Sequence, residues 1–298
     1  MTIIMILKLS TLLALSFCTT AVANNTASAL PNTDIFLAQL NQNKVINIEN
    51  ISKRVGYDNQ PSFTENGVLY TAAFKNKQQW QTDTLFYSFD TKKTINLTNT
   101  PESEYSPTKL PAEPGFSVIL EGLDASQELW RYTFDGEQPR KPLRKEKGKI
   151  GYHAWGLNND LVTFVLGQPH ALYFGNTDKQ TGRAVAYDIG RSLAFNQSIN
   201  QYSFSQYKDE DQWINLYNSV TDQVTPLIEL PKGVDYYAWQ GDEHLIFAKG
   251  STIYRWKLGS KSKPALWLDV SHHCKTNITR LKYQTTSQKL VFVCDMAV

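Results

Sequence analysis

Tyr57-Asp58-Asn59-Gln60-Pro61-Ser62-Phe63-Thr64-Glu65-Asn66-Gly67 opens the stretch that decides the fold. Three short apolar segments follow its Asn66-Gly67 turn, at 68–74, 84–89 and 94–97. Thr98-Asn99-Thr100-Pro101 then closes the unit, and Glu102-Ser103-Glu104-Tyr105-Ser106-Pro107 begins another. Four β-like runs divided by turn residues, with no helical period, form the pattern of one blade of a β-propeller.

Outward from this unit the pattern repeats. Phe63, Lys109, Trp155, Phe195, Trp239 and Tyr283 serve as anchors near the centre of each first strand, at spacings of 46, 46, 40, 44 and 44 residues. That interval suits a four-stranded blade. A later unit divides cleanly into 236–240, 244–249, 252–258 and 265–270. The last supplies only two strands, 278–283 and 289–294, and the segments 34–40 and 44–49 are the right length to complete it from outside. The expectation is an all-β, six-bladed propeller of four-stranded antiparallel blades. Pairing of amino- and carboxy-terminal strands would close its ring and remove exposed edges.

Met1 to Ala23 has the layout of a secretory signal peptide: one charge (Lys8), an apolar run from Leu9 to Phe17, and a small-x-small site at Ala21-Val22-Ala23. A lipoprotein signal acylated at Cys18 is the competing reading, which Phe17 just before it disfavours. The reading gives a signal peptide at 1–23, a flexible mature amino terminus at 24–33 and one propeller domain at 34–298, in the periplasm or secreted. Net charge is +2, or +1 once Lys8 leaves, so neither nucleic acid nor membrane insertion is expected. The basic run 144–149 reads as a solvated loop. Cys274 and Cys294 remain as an even pair in an oxidising compartment, which favours a disulfide; the alternative is that Cys294 is simply a small buried residue.

Gln60-Pro61-Ser62-Phe63-Thr64-Glu65-Asn66-Gly67, with Leu97-Thr98 ending the unit, resembles the repeat of TolB-type propellers, the exported relatives of WD-type propellers. Their usual form is Pro-x-aromatic-Ser-Pro-Asp-Gly followed by a closing Leu-Thr. Gly156-Leu157-Asn158-Asn159-Asp160 and Gln240-Gly241-Asp242-Glu243 are degenerate versions of the turn. The resemblance implies a single-domain member without the TolB amino-terminal domain, since strand-like sequence begins at Ile35. It implies architecture and not activity, because propellers host many functions.

Loops leading into the first strands of a propeller converge on one channel mouth, where ligands commonly bind. Alignment on the anchors gives an inner ring of Gln60, Ser106, Tyr152, Ser192, Tyr236 and Arg280. One step back lies a second ring of Asn59, Tyr105, Gly151, Arg191, Asp235 and Thr279. From these and the adjoining loops the ligand-binding candidates are Asp58, Asn59, Glu102, Glu104, Tyr105, Tyr152, His153, Arg191, Asp235, Tyr236 and His272. Each alone reads first as turn chemistry or a solvated side chain, and Trp155 and Trp239 as packing. As a set they suggest a monomeric binding scaffold, without a cofactor, for an envelope protein, a peptide or a small acidic ligand. Arg191 is expected to face several acids there, or else to be spent on an ion pair with Asp188 or Asp235. The alternative is a metal-dependent saccharide lyase or hydrolase using His153, His272 or His273 with Asp58, Glu102 or Glu104, although no ligand spacing supports it. Serine hydrolysis lacks a Gly-x-Ser-x-Gly elbow.

Overall fold

The computed structural model describes residues 30–76, 79–135, 141–144, 146 and 148–296. The signal-peptide and lipoprotein readings, Cys18 included, lie outside them. Among the described residues the strands form six four-stranded antiparallel sheets, and the architecture is the six-bladed propeller expected from sequence. The innermost strands of blades one to six are Asp58–Phe63, Ser103–Lys109, Ile150–Trp155, Ile189–Asn196, Tyr237–Gln240 and Ile278–Gln284. The anchor residues stand last or last but one in these strands and not at their centres.

Blade six is composite. Ile278–Gln284 pairs with Lys289–Asp295, which pairs in turn with Thr33–Asn41 at the amino terminus, and Lys44–Asn50 lies outermost. The sheet starts one residue before the boundary read from sequence. Asn32 already accepts a hydrogen bond from the Gly56 N–H at 2.8 Å and another from the Met296 N–H.

Side chains along a strand alternate between faces, and each face of a blade is covered by a neighbouring blade. Ile35 and Leu37 therefore pack with Val291 and Val293 against Val68, Tyr70 and Leu85 of blade one. Phe36, Ala38 and Leu40 pack with Leu290 and Phe292 against Ile246, Ala248 and Ile253 of blade five. Apolar clusters fill the other seams in the same way. Cys274 and Cys294 form the disulfide, with Cα atoms 5.7 Å apart, and tie the segment before the inner strand of blade six to its neighbour.

Several charged residues assigned to loops are buried in these seams. Arg144, in the basic run, is 5% exposed. Its Nε donates to Glu146 at 2.6 Å and its Nη1 to the Thr181 carbonyl, over Gly182, where a Cβ would strike the guanidinium. Asp58 is fully buried and accepts from Arg54 Nε at 2.8 Å; the same guanidinium holds the Tyr57 and Ala73 carbonyls. Glu104, also fully buried, accepts hydroxyls from Thr98 (2.9 Å), Thr100 (2.5 Å) and Tyr132 (3.0 Å). Asp58 and Glu104 thus do not line the channel, because the first residues of these inner strands lie enclosed between sheets.

Removing residues 30–50 should expose the Lys289–Asp295 edge and both apolar faces it shares with the missing strand. Loss of a cooperative melt, or aggregation on gel filtration, is expected; a monomer melting like its parent would refute the closure. The disulfide spans 20 residues, so replacing both cysteines by serine should cost about 3 kcal/mol on the chain-entropy account.

Burial pushes the Glu104 carboxyl up to about 7, against the pull of its three hydroxyl donors. A carboxyl raised on folding contributes stability that is complete below its unfolded value and lost as pH rises through the folded one, here about 3 kcal/mol between pH 4.5 and 7. His153, which burial lowers to about 3, has the opposite slope below its unfolded value of 6.5. The measurement is therefore the difference in unfolding free energy between parent and Glu104→Gln across that range. Relative to parent the variant should gain stability as pH rises, and a pH-independent difference would count against the assignment.

Candidate functional site

Near their amino-terminal ends, five of the six inner strands break pairing register. The shifts fall between Asn59 and Ser62, Tyr105 and Thr108, Ile150 and Tyr152, Ile189 and Leu193, and Ile278 and Arg280. A bulge leaves a residue unpaired and re-aims the side chains around it. Gln60 and Ser106 adopt left-handed φ values of 56° and 53° at this level, uncommon for residues with a Cβ. The inner ring derived from sequence, Gln60, Ser106, Tyr152, Ser192, Tyr236 and Arg280, lines one cavity of about 470 Å³ along the central channel. A side cavity of about 280 Å³ adjoins it and shares Gln60, Tyr152 and Arg191. Its other walls include Tyr57, Tyr105, Ile119 and Phe164.

The charge of the channel is one-sided, while the side cavity carries a carboxylate, Glu121. Arg191, Arg280 and Lys282 all line the channel, whereas the one carboxylate lining it, Asp242, follows the far end of its inner strand. Arg280 lies 3.9 Å from the Tyr236 ring centroid and 5.3 Å from that of Tyr152. Its Nη2 donates to the Tyr236 hydroxyl at 2.7 Å and the Tyr152 hydroxyl at 3.2 Å. These contacts place the guanidinium, and its Nε and Nη1 find no partner among the described residues. Burial alone would raise the Tyr152 phenol, but Arg280, helped by Arg191, holds it below its ordinary value. Tyr236 is pushed up to about 12 by burial. Lys282, two residues beyond Arg280 on the same strand, is brought down to about 8 by burial and by that guanidinium.

His153 also lines the channel, with its Nε2 tied to a neighbouring blade. Ser117 Oγ accepts from Trp155 Nε1 (2.9 Å) and has one hydrogen to share between the Thr108 carbonyl (3.2 Å) and His153 Nε2 (2.7 Å). In either arrangement the buried Nδ1 has no partner among the described residues. Burial, with Lys282 nearby, keeps the ring neutral.

The structure divides the sequence candidates. Tyr152, His153, Arg191 and Tyr236 share the channel, and Tyr105 joins them from the side cavity. Asp58 and Glu104 are buried between blades, and Asn59 is buried with its Oδ1 accepting the Gln60 N–H. Glu102, Asp235 and His272 line neither cavity. Arg191 therefore faces tyrosines and Arg280, not several acids, and no described residue forms an ion pair with it. The proposed metal ligands are not assembled: among the described residues no three His, Cys, Asp or Glu side chains converge. Gln60, Ser106 and Arg280 also line the cavities; they stood in the inner ring but not among the ligand-binding candidates, and Tyr57 and Lys282 were in neither. Polar residues alternating with Leu281 on the inner strand of a buried blade were the available signal.

No family model matches the chain, and no curated protein matches it in sequence. Solved structures do match in fold. One described as "putative TolB from Agrobacterium tumefaciens" superposes with a TM-score of 0.71 at 7% identity, covering 90% of this chain and 99% of that one. The nidogen/laminin complex gives 0.61 at 13% identity, covering 88% and 98%. A third, described as a "putative gluconolactonase", gives 0.56 at 12% identity, covering 80% and 88%. At these identities the likeness establishes the propeller fold alone.

Proposed function

We propose that the protein is an exported binding scaffold whose channel receives the anionic group of a small acid or of a peptide. The observation that carries this reading is the convergence of Arg191, Arg280 and Lys282 in a channel whose lining includes a single carboxylate, Asp242, with no ion pair to any of the three among the described residues; Glu121 stands in the side cavity. Like charges gathered in a half-buried channel repel one another, and an anion relieves that repulsion. Arg280 is held in place by two tyrosines, so its free N–H edge loses little freedom when it meets a carboxylate or phosphate. The buried Cys274–Cys294 bond supports an oxidising compartment. A peptide chain could extend from the channel over Tyr105 and Phe164 into the side cavity.

Thermal melts in a panel of small carboxylates and phosphates, at constant ionic strength, test the reading. A ligand present at about 100 times its Kd should stabilise the protein by about 2.7 kcal/mol. Arg280→Gln should abolish the effect and Arg191→Gln weaken it. Equal stabilisation by anions, cations and neutral analogues, or by none, would overturn the proposal.

A further inference from the structure

Lys282 is not accounted for by charge recognition alone. It projects into the channel beside Arg280, and its Nζ makes no hydrogen bond or ion pair with any described residue. Around it stand Arg280 on its own strand, the neutral His153 ring on the strand of blade three, and Tyr152, Arg191 and Tyr236 at the mouth. Among the described residues no carboxylate forms an ion pair with it. The adjacent His153 Nδ1 is a buried ring nitrogen without a partner, in a side chain only 8% exposed.

We propose that Lys282 is a covalent carbonyl-binding site: its Nζ adds reversibly to the aldehyde or ketone carbon of an acid whose anionic group is held by Arg280 and Arg191. The class of ligand is thus an oxo acid, and the inference rests on the anion-binding reading above. Arg280 and Lys282 are two residues apart on one strand and line the same cavity, about 7 Å from Cα to Cα at strand rise. Long side chains at that spacing can converge on a carboxylate and the carbonyl next to it. The nitrogen lone pair forms the new N–C bond, the carbonyl π pair moves to oxygen, and oxygen takes a proton to give a carbinolamine. Loss of water, with the remaining N–H proton, gives a neutral imine, and water reverses both steps. Nothing is oxidised or reduced. His153 Nδ1, which has no other partner, would exchange a hydrogen bond with the amine or the carbinolamine and position the group without itself carrying charge.

An amine held near 8 has, at pH 7.5, roughly a hundredfold larger neutral fraction than an exposed lysine; part of that advantage is returned because a weaker base is a weaker nucleophile. The test incubates the protein with glyoxylate or pyruvate, reduces any imine with cyanoborohydride, and maps the modified lysines by mass spectrometry. Modification of Lys282 should exceed that of exposed lysines by about tenfold and should be suppressed by lactate, which has the carboxylate but no carbonyl. Acetaldehyde, which lacks the anion, should show no such preference. Lys282→Met, with parental stability checked by melting, should lose the adduct while other lysines react as before. Uniform labelling or no adduct at Lys282, with pyruvate still raising the melting temperature through Arg280, would overturn this proposal and leave anion binding standing. No adduct and no stabilisation by any anion would overturn both.

Discussion

The pairing of Thr33–Gln39 with Lys289–Asp295 is the contact on which the rest of the molecule depends. It joins the two ends of the chain, gives blade six its outer half, and leaves the Lys289–Asp295 strand no free edge. The inner strand of that same blade carries Arg280 and Lys282. The cationic wall of the channel is therefore suspended from the closure: its strand is held by Lys289–Asp295, and that strand is held by the amino terminus. The disulfide reinforces the attachment from the other side of blade six.

A second constraint arises where blades meet. Each seam must be apolar to hold two sheets together, yet segments crossing from one blade to the next bring polar groups into it. The protein meets this with local networks. Glu104 is surrounded by hydroxyls, Asp58 is joined to Arg54, and the indoles of Trp155 and Trp239 each reach a serine of the preceding blade, Ser117 at 2.9 Å and Ser203 at 3.0 Å. The paired Trp–Ser contacts occupy equivalent positions in blades three and five. In blade three this network also holds His153, whose Nε2 lies 2.7 Å from Ser117 Oγ, so packing and site chemistry share atoms.

Architecture was legible because it is written in period. Alternating residues such as Ile35-Phe36-Leu37-Ala38 serve two seams at once, and turn residues recur at blade intervals. The ring facing the channel could also be derived, since equivalent positions in a closed ring point to the same place. Burial could not. Asp58 and Glu104 read from sequence as residues of an exposed loop, yet they stand at the start of inner strands, and only the packing of adjacent blades shows them enclosed. The bulges were equally hidden: Gln60 and Ser106 take conformations that glycine would have signalled, and neither is glycine. Weight placed on acids and histidines drew attention from Arg280 and Lys282, whose role depends on having no acid beside them.

The composite blade has a consequence for biogenesis. A strand whose two faces are both apolar is synthesised long before its partner; the Gln39 side chain reaches the Ser287 carbonyl across 248 residues of chain. Until then Ile35 to Leu40 have Lys44–Asn50 on one edge and nothing on the other, although five blades can already have formed. Contacts so distant in sequence slow folding and prolong the exposure of sticky surface. The nascent protein would thus be expected to spend its vulnerable period with an unsatisfied amino-terminal strand, the segment a chaperone would be best served by shielding until the last hairpin arrives.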